Sequence, residues 1–174
     1  DAAVMIAKLA QGGMRDAISL FELCSGGGSN VTSGRVTDIL GLTGYDMMHD
    51  TVTAISRGDM ASLFATVAEV VSSSKDLTVF LSELTSFYRD MLVSKYVPDS
   101  VAYLDLTATE KQLLDDASSK FGLQTIVYHC DILDSAMQSV VRYPQSKRTT
   151  VEFALMRMCE PRLDTSAEAL AARI

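Results

Sequence analysis

The chain contains no tryptophan, only three prolines and 7% aromatic residues. With three prolines and ten glycines, it cannot be collagen-like or proline-rich. Its three cysteines, Cys24, Cys130 and Cys159, are odd in number and widely spaced. That pattern suits reduced core residues of a cytosolic protein better than a disulfide framework. No stretch approaches the roughly 18–20 apolar residues that a membrane-spanning helix needs. Nor is there a signal-like start; the chain opens at Asp1 without an initiator methionine, as a fragment would. Basic residues are outnumbered 15 to 22, and the net charge of −7 excludes a surface built for general phosphate attraction. What is present is apolar: 48% of 174 residues are hydrophobic and 21% charged, enough for a buried core in one domain with at most a small appendage.

The apolar residues recur at spacings of three and four, and no segment of length alternates strictly. Leu77, Phe80, Leu81, Leu84, Phe87, Tyr88, Met91 and Leu92 form one continuous helical face between Asp76 and Tyr96. Ile126, Cys130, Leu133, Met137, Val140 and Val141 repeat the period in the next-to-last long helix, from Thr125 to Tyr143. Val151, Leu155 and Met158 repeat it in the last. Nine methionines suit a helical core with adaptable filler. The fold class is all-α.

Local punctuation divides the chain. A helix from Ala2 to Gln11 stops at Gly12-Gly13, and a second runs from Met14 to Cys24. The stretch Ser25-Gly26-Gly27-Gly28-Ser29-Asn30 reads as a flexible connector. Thr32 or Ser33 caps a short helix ending at Leu40, and Tyr45–Ser56 is the next. Asp59 caps a helix to Ser72, and Pro98 ends the long one begun at Asp76. Thr107 or Thr109 starts another, with Glu110 placed in its first turn, where the helix dipole favours an anion. Pro144 separates the last two long helices and Pro161 ends the final one. Residues 1–28 are thus expected to be the end of a preceding domain with its connector, 29–163 an independent helical bundle, and 164–174 a polar tail.

Few residues suggest catalysis. Ser25–Thr32 lacks the Gly-Lys-Ser/Thr ending of a phosphate loop and follows a helix. Asn30-Val31-Thr32 matches a glycosylation sequon with no other sign of secretion. His129 and Cys130 are adjacent, but consecutive side chains on one helix point about 100° apart, so a core cysteine and a surface histidine are expected. His49 stands alone, and no His/Cys set has zinc spacing. Asp115-Asp116 and Asp131/Asp134 read as solvated helix faces. Arg15 is sharper. It lies just inside a helix that follows a glycine turn, where a cation opposes the dipole. There it can meet a phosphate bound at the same helix end. Alternatively it pairs with Asp16 or Glu22, or is simply hydrated.

The run Ile6-Ala7-Lys8-Leu9-Ala10-Gln11-Gly12-Gly13-Met14-Arg15-Asp16-Ala17-Ile18-Ser19-Leu20 resembles the lid-domain end of the gamma/tau subunits of the bacterial DNA polymerase III clamp loader, an AAA+ family. The family pattern there is an alanine-rich helix, Gly-Ser-Met-Arg-Asp-Ala-Leu-Ser-Leu, then Leu-Asp-Gln. The resemblance continues in order through Val31–Gly41, Ala54-Ile55-Ser56-Arg57-Gly58-Asp59, Asp76–Lys95 and Arg148–Met158; residues 98–142 add little beyond helical character. Gly13 stands where the family has serine, and Phe21-Glu22-Leu23 where it has Leu-Asp-Gln. Walker A, Walker B, zinc-binding and arginine-finger motifs are absent from the chain.

The resemblance implies a fragment comprising the lid end and a helical collar domain that is no enzyme by itself. The parent would be a cytoplasmic bacterial ATPase using ATP with magnesium. Implied partners are further gamma/tau copies, delta and delta-prime, and, through the full assembly, the sliding clamp and primed DNA, with no membrane. Arg15 would match the family's sensor-2 arginine.

The charge layout suits head-to-tail packing. Residues 99–134 carry seven acids and two lysines, whereas 135–163 carry five basic residues and two acids. Arg148, Glu152, Arg157 and Arg162 are therefore interface candidates, with the three arginines facing Asp115 and Asp116 of a neighbour, and weak homo-oligomerisation is expected. Other readings are the oligomerisation domain of a different AAA+ replication or recombination protein, or a small thiol or histidine hydrolase using Cys130 or His129.

Overall fold

The structure is a computed structural model that describes residues 2–10, 12–26, 28, 30–97, 104, 106–160 and 162. Among these residues the regular structure is helical, with no strand. The helices are α1 (Ala2–Leu9), α2 (Met14–Ser25), α3 (Ser33–Ile39), α4 (Tyr45–Arg57), α5 (Met60–Ser72), α6 (Leu77–Tyr96), α7 (Ala108–Ser119), α8 (Leu123–Arg142) and α9 (Lys147–Cys159). A 3-10 turn, Pro144–Ser146, precedes α9. The expected end at Gln11, the proline stops at Pro98 and Pro161, and the tail 164–174 lie outside the described residues.

The chain forms two compact units, Asp1–Gly44 and Tyr45–Ile174. In the first, α1, α2 and α3 pack on one another around Ile6, Cys24 and Val36. The short third helix therefore belongs with the first two, whereas the pattern of glycines suggested a division near residue 28. The reason is local. Arg35 on α3 reaches back to the end of α2, its Nε donating to the Cys24 carbonyl at 2.6 Å and its Nη2 to that of Ser25 at 3.3 Å. A cation on the last carbonyls of a helix satisfies orphan acceptors and complements the dipole. Gly26 ends α2 in the left-handed region, φ 50°, where its lack of a Cβ also leaves room for that guanidinium.

In the second unit α6 is the centre, packing against α4, α5, α7, α8 and α9. Its apolar face from Leu77 to Met91 is buried as the period requires, with Leu92 partly so. The face of α8 is set differently. Ile126, His129, Leu133, Ala136 and Val140 form the buried seam, Cys130 and Met137 flank it, and Val141 is exposed. Cap chemistry sets the helix starts. Asp59 accepts from the Ser62 amide, Asp76 from Thr78, and Thr107 exchanges two bonds with Glu110 in a capping box. Asp76 also receives Lys147 at 3.1 Å, tying the start of α9 to that of α6.

Candidate functional site

The candidates fall at three places. At the start of α2, Gly12 turns the chain with φ 85° and Gly13 takes the N-cap position without a side chain to cap it. A Cβ on Gly13 would lie 2.8 Å from Asp16 Oδ2, so the Asp16 carboxylate occupies the space a serine hydroxyl would use. Arg15 follows in the first turn, exposed and without an ion pair among the described residues. Pairing with Asp16 or Glu22 is not what is seen. The Arg15 guanidinium is thus an exposed cation in the first turn of α2, next to the Asp16 carboxylate.

The second place is α7. Asp115 takes Lys111 at 2.8 Å and the Ser94 hydroxyl at 2.7 Å. Burial pushes its carboxyl up, but those two hydrogen bonds outweigh it and hold the group below the usual range. Asp116 bonds Lys120 and, at 2.7 Å, His49 Nε2 on α4; these bonds keep its carboxyl low as well. Both acids thus clip α7 within its own molecule, to α6 and α4, and both remain about half exposed. Lys95 of α6 adds a further clip, its Nζ donating to the Ser118 carbonyl in the last turn of α7 and to the Phe121 carbonyl just beyond it.

The third place is α9. Arg148 pairs with Glu152 one turn on at 2.8 Å, and Arg162 with Glu160 at 2.6 Å. Arg157 is exposed in the last turn. Val151, Ala154, Leu155, Met158 and Cys159 are buried, and Phe153 is 60% exposed. Glu152 and Met156 also border a shallow groove completed by Met60, Leu63 and Phe64 of α5 and by Leu155. α9 touches α4, α5, α6 and α8 but not α7. The acidic and basic elements are therefore kept apart, with α4 and α6 contacting both.

His129 corrects the sequence reading, which placed it on the surface. It is fully buried, with Nδ1 3.0 Å from the Tyr88 hydroxyl and its ring edge-on to Phe121 and Tyr88. Its position three residues after Ile126 and four before Leu133 puts it on the core seam; composition alone favoured solvent. Nε2 has no hydrogen-bond partner among the described residues. Desolvation dominates and lowers the imidazole pKa from 6.5 to about 4. Cys130, partly buried, has its thiol pushed up first by burial and then by Asp131. A buried neutral imidazole beside a thiol held protonated does not make a nucleophile–base pair. Among the described residues, no group of three or more His, Cys, Asp or Glu is arranged to hold a metal. No helix there is long and apolar enough to cross a membrane.

These features define an all-α bundle domain whose ion pairs lie at helix ends and on helix surfaces. The profile of the family DNA polymerase III subunits gamma and tau domain III matches residues 31–172, and the chain belongs to that family. It is 24% identical over 174 residues to the DNA polymerase III subunit gamma/tau of Mycobacterium tuberculosis and to that of Mycobacterium bovis, covering 98% of this chain and 30% of each relative. It is 25% identical over 167 residues to the DNA polymerase III subunit tau of Bacillus subtilis, covering 94% of this chain and 29% of that protein. The chain thus spans about 30% of the length of these curated relatives.

Proposed function

We propose that the bundle is the collar, or oligomerisation, module of a gamma/tau clamp-loader subunit and has no ATPase activity by itself. In the whole protein, ATP with magnesium would drive loading of the sliding clamp onto primed DNA in the bacterial cytoplasm. The module would hold gamma/tau copies, delta and delta-prime together while other domains move.

Besides the family match over residues 31–172, the observation that carries this reading is the separation of acidic α7 from basic α9. Opposite charge on non-touching elements of one bundle suits head-to-tail contact between subunits, where charge complementarity selects and orients the partner. The existing pairs do not oppose it. An exposed i,i+4 pair such as Arg148–Glu152 contributes only about 0.3–0.5 kcal/mol, so exchange for a neighbour's acid costs little. Phe153, exposed between those charges, would supply apolar area at the contact.

Arg15 would touch a nucleotide phosphate supplied elsewhere in the whole protein. Its exposed, unpaired guanidinium supports that role. Two variants of the full-length parent test the two assignments. Arg148→Glu with Arg157→Glu should weaken assembly with the other subunits in a salt-sensitive way, and Arg15→Ala should lower ATP-dependent clamp loading with the fold intact. For the 174-residue chain, sedimentation mass should rise with concentration and fall with salt. A strict monomer at hundreds of micromolar, with parental assembly untouched by the double mutant, rejects the collar contact. Unchanged loading by Arg15→Ala rejects the phosphate role.

A further inference from the structure

The cations of the second unit are gathered at one end of its helices. In residues 142–148, Arg-Tyr-Pro-Gln-Ser-Lys-Arg, three of seven side chains are basic and none is acidic, in a chain of net charge −7. The segment covers the end of α8, the 3-10 turn and the start of α9. Its backbone is fixed by its own hydrogen bonds. The Tyr143 amide donates to the Ser139 carbonyl at 2.8 Å, and the Tyr143 carbonyl accepts from the Ser146 amide at 3.1 Å. Lys147 donates to both Asp76 oxygens at 3.1 Å, which brings the turn against the start of α6 and next to Lys75.

The charges there are not used up within the molecule. Arg148 is drawn along α9 to Glu152. Arg142 is exposed and Lys75 partly so, and neither has an ion pair among the described residues. Asp76 is the one acid at this place; the Thr78 amide and then Lys147 hold its carboxyl below the usual range. The other exposed polar side chains are uncharged donors, Ser72, Ser73, Ser74, Gln145 and Thr149. Tyr143, beside Arg142, is 50% exposed.

We infer that this end of the bundle binds single-stranded nucleic acid, with Lys75, Arg142 and Lys147 on phosphates and the Tyr143 ring stacked on a base. Basic side chains and hydroxyls hold the nucleic-acid backbone whatever its sequence, and an exposed aromatic ring gives an unstacked base a platform. The ring selects the ligand. Carboxylates of an acidic protein segment gain nothing from it, and bases in a duplex are already stacked on each other. Three cations give a modest affinity, and the acidic remainder of the chain confines the strand to this patch. The subunit contact uses Arg148 and Arg157 instead, so the two sites are tested apart.

Fluorescence anisotropy of a labelled oligothymidylate, titrated with the 174-residue chain at low salt, tests the inference. Binding should fall in the range of about 1–100 micromolar, and at about 0.7 per neutralised phosphate its log–log salt slope should be about −2. Lys75→Glu with Arg142→Glu should weaken binding about tenfold or more and cut that slope by more than half. Lys75→Gln with Arg142→Gln, which keeps uncharged polar side chains there, should cut the slope as well. Tyr143→Ala should weaken binding about tenfold with the slope unchanged. Arg57→Glu, at the far end of α5, should leave both near wild type. No binding at hundreds of micromolar overturns the proposal, as does an equal loss with Arg57→Glu. A duplex bound as tightly as the single strand also overturns it. So does poly-glutamate that displaces the strand as well as unlabelled oligothymidylate does, because the surface then serves an acidic protein segment.

Discussion

Acidification should destabilise the second unit through His129 before its carboxylates respond. The ring is buried against Tyr88, Phe121 and Tyr128, and its pKa falls from 6.5 to about 4 because burial penalises the cation. The folded value lies below the unfolded one, so the unfolded chain binds the proton first. Its contribution is fully present above pH 6.5 and is lost as pH falls towards 4. At about 1.4 kcal/mol per pH unit the full loss is about 3 kcal/mol, of which about 2 kcal/mol is gone by pH 5. Asp59, Asp76, Asp115 and Asp116 are all held below the ordinary carboxylate value of 3.8, so their contributions fall away lower on the scale and leave pH 5–6.5 to histidine. The chain has two histidines, and a His49→Gln background isolates His129. Urea unfolding at pH 7 and pH 5 should then show midpoints differing by about 1 M for a typical dependence of about 2 kcal/mol per molar. His129→Leu should abolish the difference, at a cost of about 1–3 kcal/mol for the orphaned Tyr88 hydroxyl, and Tyr88→Phe added to it should recover much of that loss. The same pH 7 to pH 5 difference in His129→Leu would refute the reasoning.

Two further substitutions probe helix ends. Thr107→Ala removes both halves of the capping box with Glu110 and should lower unfolding stability by about 1 kcal/mol, read by urea titration. Gly26→Ala places a Cβ in the left-handed region and 2.8 Å from Arg35 Nη2; it should cost about 1 kcal/mol or more and speed amide exchange in α2 and α3 without affecting α6.

The helices and their starts were legible in the sequence because they depend on neighbours within four residues. The period of Leu77–Met91 buried as expected, and Asp59, Asp76 and Thr107 took the cap positions their side chains suit. The family, too, was carried by local motifs in a fixed order. Arg15 was legible as a cation at a helix start for the same reason, but its freedom from Asp16 and Glu22 was not.

Tertiary packing decided the rest. Whether α3 joined the first two helices depended on Arg35 reaching two carbonyls ten and eleven residues back. Whether Asp115 and Asp116 stood free depended on Ser94 and His49, 21 and 67 residues away. His129 was placed by α6 and α9 closing over α8. One ring-to-hydroxyl hydrogen bond and aromatic contacts make its burial possible, and a polar residue's place on an apolar seam becomes visible only when the partners that accept it are brought together. Periodicity measures which side chains share a face; it carries no information on which face meets another element, because that is settled by the summed burial of several helices at once.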